Sequence, residues 1–158
     1  MRKVIKDTPL MELTLRRYEE PYNLEMRDLL KKFCLSMGLL QPGDSRDIIV
    51  DILHVLLKSK KKETEISSEQ IRDYVIEMRK QYSLPLQGVA ASNVRRQIKR
   101  LRDMLIVEKI KNNYRISEYA RLADTFEEKI SQYVIPTITT RVKEYCKVID
   151  EEFTPATN

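Results

Sequence analysis

Within the stretch SNVRRQIKRLRDMLIVEKIKNNYRIS, residues 92–117, Ser92, Asn93, Arg95, Arg96, Lys99 and Arg100 crowd into nine positions, and Lys109, Lys111, Asn112, Asn113 and Arg115 into seven more. Guanidinium groups offer planar forks of donors, ammonium groups offer mobile point charges, and amides both donate and accept. That mixture suits the recognition of oxyanions and polar edges rather than bond-making. From Ser92 to Arg115 there are eight Lys/Arg and two acidic residues, a local balance of +6 in a chain whose net charge is +5, so the remainder nets −1. The stretch is therefore either an ordinary solvated face or a surface built for a polyanion.

Catalysis is the weakest class. The single histidine, His54, sits among apolar residues and reads as a packed side chain, which removes most Ser/Cys–His chemistry. Gly38, Gly43 and Gly88 form no phosphate-cradling loop, and there is no HExxH, CxxC or paired-carboxylate signature. No metal ligand set and no cofactor are expected. Cys34 and Cys146 lie far apart and read as free thiols of a cytoplasmic protein, with an inter-chain disulfide as the alternative. No apolar run is long enough to span a membrane, and the N-terminus lacks the apolar core of a secretory signal.

The elements that must position the basic stretch follow from periodicity. Few glycines, no tryptophan and abundant Leu, Ile, Lys, Arg and Glu predict a mainly α chain. Residues 1–23, with Pro9 and Pro21, read as an arm whose order depends on a partner surface. Residues 24–43 read as an accessory helix, with Met26, Leu30, Phe33 and Met37 on one stripe, ended by Gly38 and QPGD. Asp44 or Ser45 can cap a second helix, apolar over enough of its surface to be central. It runs out at KSKKK, residues 58–62, whose lysines read first as a solvated loop and second as a weaker basic site. Ser67 and Gln70 have capping-box spacing ahead of a third helix with Ile71, Tyr74, Val75 and Met78 inward.

In the fourth helix, residues 92–105, Val94, Ile98, Leu101 and Leu105 form the inner face. At about 100° per residue, Arg96, Lys99, Arg100 and Asp103 fall opposite, with Arg95 and Arg102 on one edge. Two short strands follow over residues 107–116. A two-residue loop at Asn112-Asn113 would put Ile110 and Ile116 on opposite faces, so a three-residue loop, which returns both to the core, is the expected register. From Tyr119 the apolar residues Leu122, Phe126, Ile130, Val134, Ile138, Val142, Tyr145 and Ile149 recur every three or four positions. Pro136 should kink or split that helix. Its stripe needs another surface, either a second copy of the chain or the N-terminal helix. Residues 124–152 carry four basic and seven acidic side chains, opposite in sign to the stretch before them.

The order helix, strand, helix, turn, helix, hairpin, and the run VAASNVRRQIKRLRDMLIVEKIKNNYRIS, resemble the winged helix-turn-helix superfamily, in the manner of MarR-like and PadR-like prokaryotic or archaeal transcription regulators. Val89, Val94, Ile98, Leu101 and the Leu105-Ile106 pair occupy its recurrent apolar positions over residues 44–117. Met104 stands where such proteins usually carry glycine, and SLPLQGVAA, residues 83–91, is longer than the usual turn. The resemblance implies a winged-helix domain at 44–117, a C-terminal dimerisation segment at 118–152 and a tail at 153–158. It also implies a homodimer on double-stranded DNA, with Ser92, Asn93, Arg95, Arg96, Lys99 and Arg100 at the major groove. Lys109, Lys111, Asn112, Asn113 and Arg115 would form the wing, and the residues from Tyr119 to Ile149 the dimer seam. Transcription regulation is the expected function, and no feature identifies a small-molecule effector. The alternatives are a winged-helix module that binds another protein, in a transcription, replication or chromosome-segregation assembly, and an architectural DNA binder.

Overall fold

The computed structural model describes residues 6–156. It is mainly helical with a small three-stranded antiparallel sheet. The chain divides into two compact units, Thr14–Thr125 and a second made of Met1–Leu13 with Phe126–Asn158. The Thr14–Thr125 unit takes in residues 14–43 of the segment before residue 44. Its order is α1 (Met26–Ser36), α2 (Ile48–Lys61), β1 (Ile66–Ser67), α3 (Ser68–Gln81), α4 (Ala91–Asp103), β2 (Val107–Ile110), β3 (Asn113–Ile116), a 3₁₀ turn (Ser117–Tyr119) and the short α5 (Leu122–Thr125).

α2 is the central helix because it is apolar on almost every side: Ile48 through Leu53, Val55 and Leu56 are all buried. α1, α3, α4 and β3 all pack on it. The buried run includes Asp51, a carboxylate at the heart of the core. Arg79 of α3, itself 2% exposed, donates from Nη1 to Asp51 Oδ2 at 2.5 Å and to Asp47 Oδ1 at 3.0 Å. Arg27 of α1 reaches Asp47 at 3.1 Å and Asp51 at 3.4 Å. Burial pushes the Asp51 carboxyl up from its ordinary range, against the opposing pull of the two arginines. Burial also raises Asp47, but there the Arg27 charge and the hydrogen bond from Arg79 outweigh it and hold the group below its usual value. The helix therefore begins at Asp47 rather than at Asp44 or Ser45. Asp47 makes no side-chain cap because its carboxylate is held by the arginines, while Asp44 accepts from the Arg46 amide.

Each of the first four helices ends the same way. The second residue past the helix turns into the left-handed region, and paired backbone bonds recover the last carbonyls: Leu39 N–H to Cys34, Thr64 to Ser59, Leu84 to Arg79 and Ile106 to Leu101. Only the first end uses glycine, Gly38 at φ 71°. The others are taken by Glu63, Ser83 and Leu105, at φ 50°, 54° and 66°. A side chain costs about 1–2 kcal/mol in that conformation. Leu105 thus ends α4 instead of extending its inner face, and it is exposed, as is Tyr74 of α3. The Ser67–Gln70 capping box is present, with both reciprocal bonds formed.

The sheet order is β1–β3–β2. The hairpin turns on two residues, Lys111 and Asn112, with Ile110 opposite Asn113 and Val107 opposite Ile116. This differs from the three-residue loop. Ile110 and Ile116 do lie on opposite faces, and the buried face is built from Val107, Tyr114 and Ile116. Tyr114 contributes the core volume expected of Ile110, which is half-buried.

The segment Thr14–Asn23 is ordered on α1. Arg16 donates to the carbonyls of Leu35 and Leu40 and to Gln41. Lys32 pairs with Glu19 at 2.7 Å and lies over the Tyr18 ring at 4.8 Å.

In the second unit a π-helical stretch, Phe126–Val134, leads into α6 (Ile135–Phe153). Pro136 lies in the first turn of α6. Its ring and missing N–H disfavour an α-turn just ahead of it, and the wider π turns there relieve that conflict. The proline changes the helical pitch rather than breaking the helix. Thr137 and Thr139 hydroxyls donate back to the Tyr133 and Ile135 carbonyls. Among the described residues no helix is long and apolar enough to cross a membrane.

Candidate nucleic-acid interface

α4 is held by Val94, Ile98 and Leu101, all buried, and packs on α2, α3 and β2. That anchoring fixes which of its polar side chains can face outward, and they sort into three groups.

One flank turns inward. Asn93 donates from Nδ2 to the Gly88 carbonyl at 2.7 Å and accepts from Gln97. Gln97 in turn accepts from Arg100, whose other nitrogen donates to the Gly38 carbonyl at 3.3 Å. Asn93, Gln97 and Arg100 are all half-buried. This ladder ties α4 to the turn before it and to the end of α1. Asn93 and Arg100, expected at base edges, are committed to the fold.

The outer face keeps Ser92, Arg96 and Lys99, all exposed. Lys99 pairs with Asp103 one turn on, at 3.0 Å, in an exposed arrangement that is worth about 0.3–0.5 kcal/mol and yields readily to a better partner. Arg96 takes part in no ion pair or side-chain hydrogen bond among the described residues.

The other flank presents Arg95 and Arg102, exposed and likewise without an ion pair among the described residues. Arg95 lines a shallow groove with Ser68, Glu69, Arg72 and Asp73 of α3. Arg102 is not among the expected contact residues, although the helical wheel places it with Arg95 on one edge of the apolar face, about 80° from Val94.

The hairpin divides in the same way. Lys111 and Asn112 form its exposed tip, and Lys109 is exposed 5.9 Å from the Tyr114 ring centre. Asn113 is half-buried within β3. Arg115 is held between Glu108, at 2.6 Å, and the Tyr119 ring, at 4.7 Å. Its available contact is that pair rather than an outside anion. Tyr119, expected at a dimer seam, serves this internal contact instead.

The other seam residues also divide. Leu122 of α5 is half-buried; in the second unit Phe126 and Ile138 are half-buried and Ile130 and Val134 buried. Val142, Tyr145 and Ile149 stand 55–66% exposed along α6. Of the two cysteines, Cys34 is buried and its thiol is pushed up to about 12 by burial, which removes it from thiolate chemistry, while Cys146 is exposed. His54 is half-buried and held below its ordinary value by burial and the nearby Lys58.

No family model, curated protein or solved structure matches this chain, so its own residues carry the functional reading.

Proposed function

We propose that the chain is a winged-helix DNA-binding protein that acts as a homodimer in transcription regulation. α4 enters the major groove, the tip of the β2–β3 hairpin meets the neighbouring backbone, and the exposed face of α6 joins two copies. The observation that carries this reading is the exposure of Arg95, Arg96 and Arg102, with no ion pair among the described residues, on a helix whose opposite face is fully buried. Arg96 and Arg102 have no ion pair among the described residues, Arg95 feels only the charge of Glu69 across a shallow groove, and a polyphosphate offers all three a closer anion. The element order and the β1–β3–β2 sheet support the winged-helix assignment. Base reading falls to Ser92 and Arg96, and phosphate contact to Arg95, Lys99, Arg102, Lys109 and Lys111.

Fluorescence anisotropy on random duplex DNA across a salt series tests the reading. Log affinity should fall linearly with log salt, and Arg96→Ala/Arg102→Ala should flatten the slope by about 1–2 while leaving the melting temperature unchanged. Tyr145→Glu/Ile149→Glu should sediment as a monomer and bind DNA more weakly. Negligible affinity at about 50 mM salt, where phosphate-contacting proteins bind well, would sink the DNA reading and favour a protein partner.

A further inference from the structure

Four lysines lie at the end of α2, in residues 58–62, and two of them, Lys58 and Lys62, share one wall of a groove of about 310 Å³ between α2 and α3. Its floor is apolar, since Val55, Ile66 and Met78 are buried. Tyr74 stands half out of the core at the rim, and Glu77 is the single acid in the lining. Both lysines are exposed and have no ion pair among the described residues. The groove therefore sets a cationic wall beside an apolar floor. Its volume, at the low end of the range for concave binding sites, about 300–1,000 Å³, suits a single side-chain anchor.

The end of α6 carries the complementary chemistry. Phe153 is 81% exposed, more than any other aromatic side chain among the described residues. It lies one turn beyond Ile149, where the apolar stripe from Tyr119 stops, so the α6 seam does not account for it. Asp150, Glu151 and Glu152 precede it, all exposed and in no ion pair among the described residues. An aromatic ring with a run of three acids behind it is the reverse of the groove, an apolar floor with lysines beside it.

We infer that the groove receives the end of α6 from a second copy of the chain, with Phe153 on Val55, Ile66 and Met78 and the acidic turn facing Lys58 and Lys62. Each side supplies what the other leaves open. The ring leaves water for an apolar floor beside Tyr74, and opposite charges meet at the rim, where they steer and orient the contact. Met78, unbranched and polarisable, adapts to the ring. Groove and anchor are different surfaces, so the contact is heterologous and passes from copy to copy unless the rotation between copies closes a ring. It is a contact between two molecules, and it rests neither on DNA binding nor on the α6 seam.

The test is an isotope-mixing titration of the full chain. Unlabelled native protein is added to isotope-labelled Phe153→Ser, whose own anchor is gone, so a Phe153 in the labelled groove must come from another molecule. Saturable amide shifts should appear at Thr64, Ile66, Tyr74 and Met78. Unlabelled Phe153→Ser, which keeps the whole α6 seam, should produce none there. Lys58→Ala/Lys62→Ala in the labelled chain should weaken the contact about fivefold, the scale of two exposed charge contacts, without altering the melting temperature, and Lys58→Arg/Lys62→Arg should restore it. Groove shifts that persist with unlabelled Phe153→Ser, shifts confined to α6, or none at millimolar partner would overturn the contact. Undiminished affinity in the double-alanine variant would overturn the part given to the acidic turn.

Discussion

Arginine does opposite work in two places within the Thr14–Thr125 unit. Around α2, Arg79 and Arg27 are drawn into the core and matched by Asp47 and Asp51, so that each charge has a partner at hydrogen-bond distance. Along α4, Arg95, Arg96 and Arg102 stand in solvent with no ion pair among the described residues. The difference lies in desolvation. A cation stripped of water must be paired at once by its own chain, whereas an exposed one can wait for an outside anion. Arg100 and Arg115 fall between, half-buried and satisfied by carbonyl, amide or carboxylate oxygens, and neither is free to serve both roles.

The strongest way to break this contrast is to remove one arginine of each kind. Arg79→Met leaves Asp51 buried with only the distant edge of Arg27, and should lower the unfolding free energy by about 3–5 kcal/mol. Arg96→Met should change it by less than about 0.5 kcal/mol. Urea denaturation of the two variants decides, and equal losses would mean that the inner cluster holds no special place in the fold. A smaller effect should come from acid. The folded-state value of Asp47 lies below its unfolded value, so its contribution is complete above the unfolded value and is lost as pH falls through the folded one. Stability should therefore fall below about pH 4, and fall less steeply in Asp47→Asn; parallel slopes would count against the pairing. The finest distinction concerns Lys99. Asp103→Asn should alter stability by less than about 0.5 kcal/mol, yet tighten DNA binding and steepen its salt dependence, because it frees the lysine for phosphate. Unchanged salt dependence would place Lys99 outside the interface.

These two populations were unequally legible in the sequence. The inner stripe of α4 was readable because Val94, Ile98 and Leu101 recur at helical spacing, and the capping box because Ser67 and Gln70 bond only to near neighbours. Both are local patterns. The outward set was only half readable: the helical wheel gives direction, but not that the Gly38 and Gly88 carbonyls stand where Arg100 and Asn93 can reach them. Asp51 did leave a signal, since an acid inside a helix apolar on nearly every side must find a cation. Which cation depends on the packing phase of α1 and α3 against α2, and no local pattern carries that. The hairpin register does not follow from the isoleucine spacing because Tyr114, a buried aromatic, fills the core position that the spacing assigns to Ile110. The helix ends were hard to place for a related reason. Glu63, Ser83 and Leu105 occupy conformations that glycine would announce, and their cost is met by backbone bonds and by buried neighbours such as Leu101 and Ile106.

The turn at Gly38 connects more of the molecule than its size suggests. A β-carbon there would stand 2.8 Å from that of Thr14 and 3.0 Å from the Thr14 carbonyl, so the N-terminal segment packs against the end of α1 too closely for any side chain at position 38. Arg16 grips the carbonyls on either side of this turn and Arg100 grips the carbonyl of Gly38 itself. The turn thus works as a rivet through three layers of chain. A push on the N-terminal segment would reach the shank of α4 through two arginine side chains anchored on the same turn. Sequence drift in residues 14–16 would then be felt as a change in the pitch at which α4 is presented.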